Sequence, residues 1–444
     1  MRNISRLVAV AAVVLACVSG AQAVDIETVT VGNPGNTGES SGECAGGHGP
    51  CCTDCGAVDY VYNIGKYEVT AGQYTEFLNA VAATDTYGLY NTSMANPSEG
   101  LFGCNIQRTG SSPNYSYSVG ADWADRPVNH VSWGDAARFC NWLHNGQPTG
   151  AQDLTTTEDG SYYLNGATGT ATLLVVREPD ATWVVPSEDE WYKAAYHKND
   201  GVTGNYWDYP TESDAAPTAE APAGTDMTNG SANYSPDGYV IGAPYYRIEV
   251  GAYDAKPSDS PYGSFDQGGN VSEWNEAVFY GASRGLRGGS FYPYGYPLYA
   301  AFRGYYGGPP PFEGESFIGF RVALAQDCNG NGIPDECDIS CGDTGGPCDV
   351  LGCGESDDTN NDGIPDECGA CCGSFGAVGC LQLAQDLCSE SGGVYLENGT
   401  VCHGSACPIP TVSEWGLVTM ALLVLTAGTV VLARRRVVAH RAAA

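Results

Sequence analysis

The sequence predicts an α+β domain of low regular secondary-structure content, continued by a disulfide-rich tail and a C-terminal transmembrane helix. Three observations predict it. The long middle of the chain is rich in Gly, Tyr and Trp, lacks long periodic stretches, and carries three short, well-signalled helices. Twelve cysteines crowd between Cys328 and Cys407. An uncharged apolar run, Gly416 to Ala433, ends on Arg434-Arg435-Arg436.

The helices are marked at their starts. Thr70 stands three residues before Gln73, a capping-box pattern, and Tyr74, Phe77, Leu78 and Val81 follow at helical spacing. Ser132 with Asp135 opens a second helix whose buried face is Trp133, Ala136, Cys140 and Leu143. Ser187 with Glu190 caps a third, with Trp191, Ala194 and Ala195 facing inward. Val24 to Val31 alternates apolar and polar residues as a half-buried strand does, and Tyr60 to Tyr67 is a second strand candidate. The Cys-rich insert between them, 40–56, reads as a disulfide-stapled loop. A zinc knuckle built on His48 and the Cys52-x-x-Cys55 pair is the alternative.

The two ends address the protein. Arg2 and Arg6 lead into an apolar run from Leu7 to Val18, and Ala21-Gln22-Ala23 supplies the small-x-small cleavage pattern. That run is too short for a bilayer core of about 30 Å, so residues 1–23 read as a signal peptide and Val24 as the first mature residue. At the other end, eighteen residues rising about 1.5 Å each just span that core, and the arginines hold the C-terminus in the cytoplasm. The expected location is therefore the inner membrane with the bulk outside the cytoplasm, or the outer envelope or cell surface after sorting.

Nineteen Lys and Arg against 52 Asp and Glu give a net charge of −33. Such a surface repels nucleic acid and excludes DNA and RNA as partners. It suits solubility and divalent cations alike. Of nineteen cysteines, Cys17 leaves with the signal, and the even remainder in an exported chain predicts paired disulfides. They fall into a group at Cys44, Cys51, Cys52 and Cys55, two isolated residues at Cys104 and Cys140, and the crowded tail.

Six ordered motifs give the middle a family likeness: Ile64-Gly65-Lys66-Tyr67-Glu68-Val69-Thr70, Arg126-Pro127-Val128-Asn129-His130-Val131-Ser132-Trp133, Pro186-Ser187-Glu188-Asp189-Glu190-Trp191, Gly268-Gly269-Asn270-Val271-Ser272-Glu273-Trp274, Arg287-Gly288-Gly289-Ser290-Phe291 and Gly319-Phe320-Arg321-Val322. Residues 24–325 thereby resemble the formylglycine-generating enzyme, or sulfatase-modifying factor, family, which implies a variant of the C-type-lectin-like fold. In that family two cysteines shortly after the Gly-Gly-Ser motif hold copper. The matching positions here are Pro293 and Leu298, which offer no thiolate. The resemblance therefore implies neither bound copper nor formylglycine-generating activity. A second branch uses non-haem iron, but His48, His130, His144 and His197 show none of its close spacing. The family's structural calcium would fall on Gly268, Gly269 and Val271 carbonyls with the Glu273 carboxylate, and on Asn233, Tyr234, Asp237 and Tyr239.

Two acidic loops follow, in residues 326–370. The first offers Asp327, Asn329, Asn331, the Ile333 carbonyl, Asp335 and Asp338; the second offers Asp358, Asn360, Asp362, the Ile364 carbonyl and Asp366, with Gly369 in the twelfth position. Oxygens at positions 1, 3, 5, 7 and 9 with Gly at 6 match calcium loops and resemble those of dockerins and thrombospondin type 3 repeats. An acidic turn held by disulfides is the alternative. Residues 371–407 bury little core and read as a disulfide-held stalk. In 408–444, Ile409-Pro410-Thr411-Val412-Ser413-Glu414-Trp415-Gly416 with the helix and arginines resembles the IPTL-CTERM sorting tail, which implies a sorting protease as partner.

Three functions remain open at this stage: a non-catalytic binding module for carbohydrate or peptide, a family enzyme with altered chemistry, and a structural envelope protein. The first leads: Tyr292, Tyr294, Tyr296, Tyr299, Tyr305 and Tyr306 crowd the region where the enzymes keep their site and suit carbohydrate or peptide contact, with a Tyr-rich core and loop as the alternative.

Overall fold

The computed structural model describes residues 23–39, 54–178, 181–254, 258–292, 298–305 and 314–325, with Gly354, Ser356 and three later strands. The chain divides into two units, Met1–Pro365 and Asp366–Ala444.

All three predicted helices form with reciprocal caps: α1 (Ala71–Val81), α3 (Trp133–His144) and α4 (Glu188–Tyr196). At α1, Thr70 Oγ1 accepts from Gln73 N at 3.2 Å while Gln73 Oε1 accepts from Thr70 N at 2.9 Å. Such caps satisfy N–H groups the helix itself leaves orphaned. A single turn, α2 (Ala121–Ala124), lies between the first two. The apolar face of α1 meets that of α3. Phe77 lies 5.3 Å from Phe139 and 5.2 Å from Trp142, ring centre to ring centre, and Phe320 closes the cluster 5.5 Å from Phe139.

Around these helices lie short strands. One sheet has the order β1 (Thr28–Val31), β2 (Tyr62–Gly65), β12 (Ala323–Ala325), β5 (Trp183–Val184), all antiparallel. The other runs β10 (Gly304–Tyr305), β9 (Ser283–Arg287), β8 (Ser272–Phe279), β11 (Ile318–Gly319), and its β8–β11 pair is parallel. Two small two-stranded sheets join β3 (Gln107–Thr109) to β4 (Ser116–Ser118) and β6 (Thr218–Ala219) to β7 (Ser231–Ala232).

Both predicted strands are shorter than the alternation suggested. Val24 does not pair in the sheet, because Gln147 occupies its backbone: Val24 N donates to Gln147 Oε1 at 2.6 Å and Gln147 Nε2 donates to Val24 O at 2.8 Å. Its side chain is nonetheless buried in the main core. Beyond Gly65, the ladder of β2 gives way to a single bond from Lys66 N to Glu27 O.

The cysteine expectation needs correction. Cys104 and Cys140 are free thiols, both buried in the apolar core, so the mature cysteines are not all paired. Each sits among side chains as a small apolar group. Cys55 is disulfide-bonded, which removes it from the zinc alternative. His48 and Cys52 lie outside the described residues.

In the second unit, β13 (Cys368–Phe375) pairs antiparallel with β14 (Val378–Ala384) on one side and β15 (Val394–Asn398) on the other. The stretch read as a stalk therefore contains a small sheet. Among the described residues no helix is long and apolar enough to cross a membrane. Gly416 to Ala433, residues 1–22 of the predicted signal peptide and every side chain of the two acidic loops lie outside the described residues.

Candidate functional site

The loop Gly268–Val271, entering β8, is the meeting point of the motifs. Asn270 is its hub. It adopts φ +55°, and its backbone N–H donates to Asn233 O at 2.8 Å while its own carbonyl accepts from Phe291 N at 3.0 Å. Its side chain donates to Glu68 at 2.7 Å and accepts from Ile248 N at 3.1 Å. Gly269 is held at φ +97°, and a Cβ there would stand 2.6 Å from the Asn233 carbonyl, so only glycine fits. Residues of the two calcium sets predicted from the sequence, Asn233 and Gly269, are thus brought together.

Under this loop lies a buried ionic cluster. Arg321, 0% exposed, grips Glu273 through both ends of its guanidinium, Nε to Oε2 at 2.6 Å and Nη2 to Oε1 at 2.7 Å. Trp191 Nε1 donates to the same carboxylate at 2.7 Å. Burial, the largest single effect, would lower the Arg321 pKa, and the charge and hydrogen bonds of Glu273 together with the Glu68 and Asp266 charges outweigh it, so the net shift is upward. Glu68 and Asp266 are buried nearby. Burial first, then Asp266 and Glu273, pushes Glu68 well above the usual carboxylate range. Burial likewise pushes Asp266 up to about 6, while its bond from Gly251 N at 2.6 Å pulls the other way.

Calcium takes oxygen ligands with lone pairs to spare. The Glu273 carboxylate, predicted as a calcium ligand, is filled by three N–H donors and fits poorly. The Asn233 amide fits better: its Nδ2 donates to Tyr246 O and Asn270 Oδ1, but its Oδ1 is buried without a partner. Tyr234 spends its hydroxyl on Pro217 O at 2.8 Å, Asp237 is exposed, and Tyr239 packs among aromatic rings. Among the described residues no group of three or more His, Cys, Asp or Glu side chains is placed to hold a metal. The histidines do not converge. His130 contacts the Gly314 and Leu101 carbonyls, His197 contacts Tyr262 Oη and Thr203 O, and His144 contacts Thr182.

Beside the hub stands an aromatic floor. Phe102, Tyr246 and Phe291 are buried together, with Tyr239, Tyr292 and Phe317 half-buried against them. Phe102 lies edge-on to Tyr246 at 4.8 Å, and Tyr292 stacks on Phe317 at 5.6 Å. Beneath it Arg247 is fully buried, donating to the carbonyls of Phe102 at 2.6 Å and Gly103 at 3.1 Å. No carboxylate lies within ion-pair distance of it among the described residues, and burial lowers its pKa to about 10. Of the predicted tyrosines, Tyr292 belongs to this floor, Tyr299 packs on Phe302 at 5.9 Å, and Tyr305 contributes backbone to β10. Tyr294, Tyr296, Tyr306 and Pro293 lie outside the described residues. Leu298 is buried, with its carbonyl accepting from Tyr196 Oη at 3.0 Å.

Residues 57–326 match the model of the sulfatase-modifying factor enzyme 1-like domain, and residues 408–436 match the IPTL-CTERM motif. No curated protein matches the chain. Solved structures similar to it include CarF, 21% identical over 68% of this chain and 99% of that one with a TM-score of 0.39. Treponema denticola variable protein 1 is 19% identical over 67% and 94%, at 0.37. PvdO from Pseudomonas aeruginosa is 18% identical over 67% and 91%, at 0.34.

Proposed function

Since this chain belongs to the family of sulfatase-modifying factor enzyme 1-like domains and ends in a sorting motif, we propose that it is an exported, envelope-anchored binding protein that keeps the family fold without its copper chemistry. The observation that carries this reading is Leu298: a buried side chain with no ligand atom stands where the family places a copper cysteine. The two free thiols described, Cys104 and Cys140, are fully buried, and burial pushes both above the ordinary thiol range. They therefore make poor thiolate donors. In place of a metal centre the domain offers the aromatic floor, whose half-buried rings Tyr239 and Tyr292 suit contact with a carbohydrate or peptide.

The test is mass analysis of a sulfatase-type peptide incubated with the protein, oxygen, reductant and copper. The peptide cysteine should remain intact. Appearance of the aldehyde would restore the enzyme reading.

Calcium belongs to the same proposal, with the two acidic loops as its main holders and the Asn233 amide oxygen as a lesser donor. Calorimetry on EDTA-stripped protein should show binding at roughly micromolar to millimolar calcium. Asp327→Ala with Asp335→Ala should remove most of the tighter heat. Unchanged heats in that double variant would exclude the loops.

A further inference from the structure

We propose a second binding surface, away from the aromatic floor, that takes an extended partner segment carrying both apolar and cationic side chains. It is built where the segment 174–178 runs beside 161–163. Tyr162 and Arg177 face each other in an antiparallel bridge, and Glu178 N bonds to Ser161 O at 2.9 Å. That register sets Tyr163 opposite Val176 on one outward face. Leu174 joins them, since exposure alternates through buried Val175. The four residues Leu174 (86% exposed), Val176 (72%), Tyr163 (50%) and Leu154 (48%) make up four of the nine large apolar side chains exposed among the described residues. Scattered exposed apolar residues mean nothing, whereas a gathered strip marks a contact surface.

The strip runs into a cleft of about 430 Å³ lined by Leu154, Tyr163, Asn145, Asp159, Glu178 and His144. Its charge selects the occupant. No Lys or Arg lines the cleft. The neighbouring Arg177 turns inward and spends its charge on Glu190 at 2.7 Å and Glu276 at 3.0 Å. The Glu178 carboxylate receives no hydrogen bond among the described residues, and the Asp159 carboxylate accepts only at Oδ1, from Gly160 N at 3.0 Å. Asn145 has both amide hydrogens committed, to Thr156 O and Asp159 O, and presents its oxygen. The cleft is therefore rich in acceptors beside aliphatic side chains. A polyol would leave Leu174 and Val176 facing hydroxyls. A segment with Leu- or Val-like side chains and an adjoining Lys or Arg covers both features.

The test uses the full chain in detergent and three octapeptides: alternating Leu and Lys, alternating Ser and Lys, and alternating Leu and Glu. The Leu–Lys peptide should bind at least tenfold tighter than either of the others. Leu174→Ser with Val176→Ser should weaken it about tenfold. Glu178→Gln should weaken it less and flatten its salt dependence. All three residues lie at the surface, so the variants should keep the parent's thermal unfolding. Tyr292→Ala, on the aromatic floor, should change nothing here, which separates this surface from the first. Equal binding of the Ser–Lys peptide, or an unaffected double variant, would overturn the proposal, as would displacement of the peptide by a neutral oligosaccharide.

Discussion

Arg321→Met should cost the domain about 3–5 kcal/mol, the scale for removing one partner of a buried ion pair. The native pair is dry on both sides, with Arg321 and Glu273 each fully buried. Without the guanidinium, Glu273 keeps only Trp191 as a charged-state donor, and Glu68 and Asp266 lose the cation that lowers the cost of their own charges. Arg321 also ties the Gly65 and Phe265 carbonyls, at 2.8 Å each, so three parts of the chain lose one anchor. Against a total stability on the order of 5–15 kcal/mol, such a loss leaves little folded protein. Denaturant midpoints measure it. The double variant Arg321→Met with Glu273→Gln should regain part of the loss, because no buried charge is then stranded. A single-variant loss below about 1 kcal/mol would show that water reaches the cluster.

The second large effect is a reversed pH dependence. An acid whose folded pKa is raised holds a proton in the folded state that the unfolded chain has already released. For Asp266 that window runs from the ordinary value of 3.8 to about 6. Across it the folded state binds more protons, so stability falls as pH rises, and the penalty is complete above about 6. Asp135, pushed up to about 6 by burial, acts in the same direction. Glu188 and Glu190 oppose it. Burial alone would raise them, but Arg287 and Arg303 around Glu188, and Arg177 beside Glu190, bring both below the usual value. Their stabilisation is present above their unfolded pKa and is lost as pH falls through the folded one. Asp266→Asn keeps an oxygen for Gly251 N and removes the charge. Its stability relative to the parent should be unchanged near pH 3.8, grow through the window, and be largest above about 6. Urea unfolding at pH 4 and pH 7 decides it, and a difference of the same size at both would refute the assignment.

What the sequence disclosed was what depends on near neighbours. The three helix starts were legible because a cap is a contract between residues three apart, as Thr70 and Gln73 show. The family motifs were legible in order, and Phe320 and Trp191 fell into the core as apolar residues must. Strand ends were not legible, because the residue that engages the Val24 backbone ahead of β1 is Gln147, more than a hundred positions away. Nor was the real work of Glu273. Its motif suggested a calcium ligand, while its partner Arg321 sat in another motif with nothing local to join them. Asn270 was passed over between Gly269 and Val271, which were noted for their carbonyls, although Asn is among the few non-glycine residues that readily take the positive φ found here. The free thiols escaped an argument from parity, since an even count says nothing about which cysteines lie near a partner.

The placement of β12 bears on how the protein carries load. It is an inner strand, hydrogen-bonded to β2 on one side and β5 on the other, and the chain leaves the sheet from its last residue, Ala325, opposite Tyr62. Everything C-terminal, including the sorting motif, continues along the chain from that strand. When a tether at the C-terminus is pulled, the force enters the domain at β12 and is shared at once by its two neighbours, where an edge strand would peel away one bond at a time. The domain thus leads into its sorting tail by a mechanically central thread.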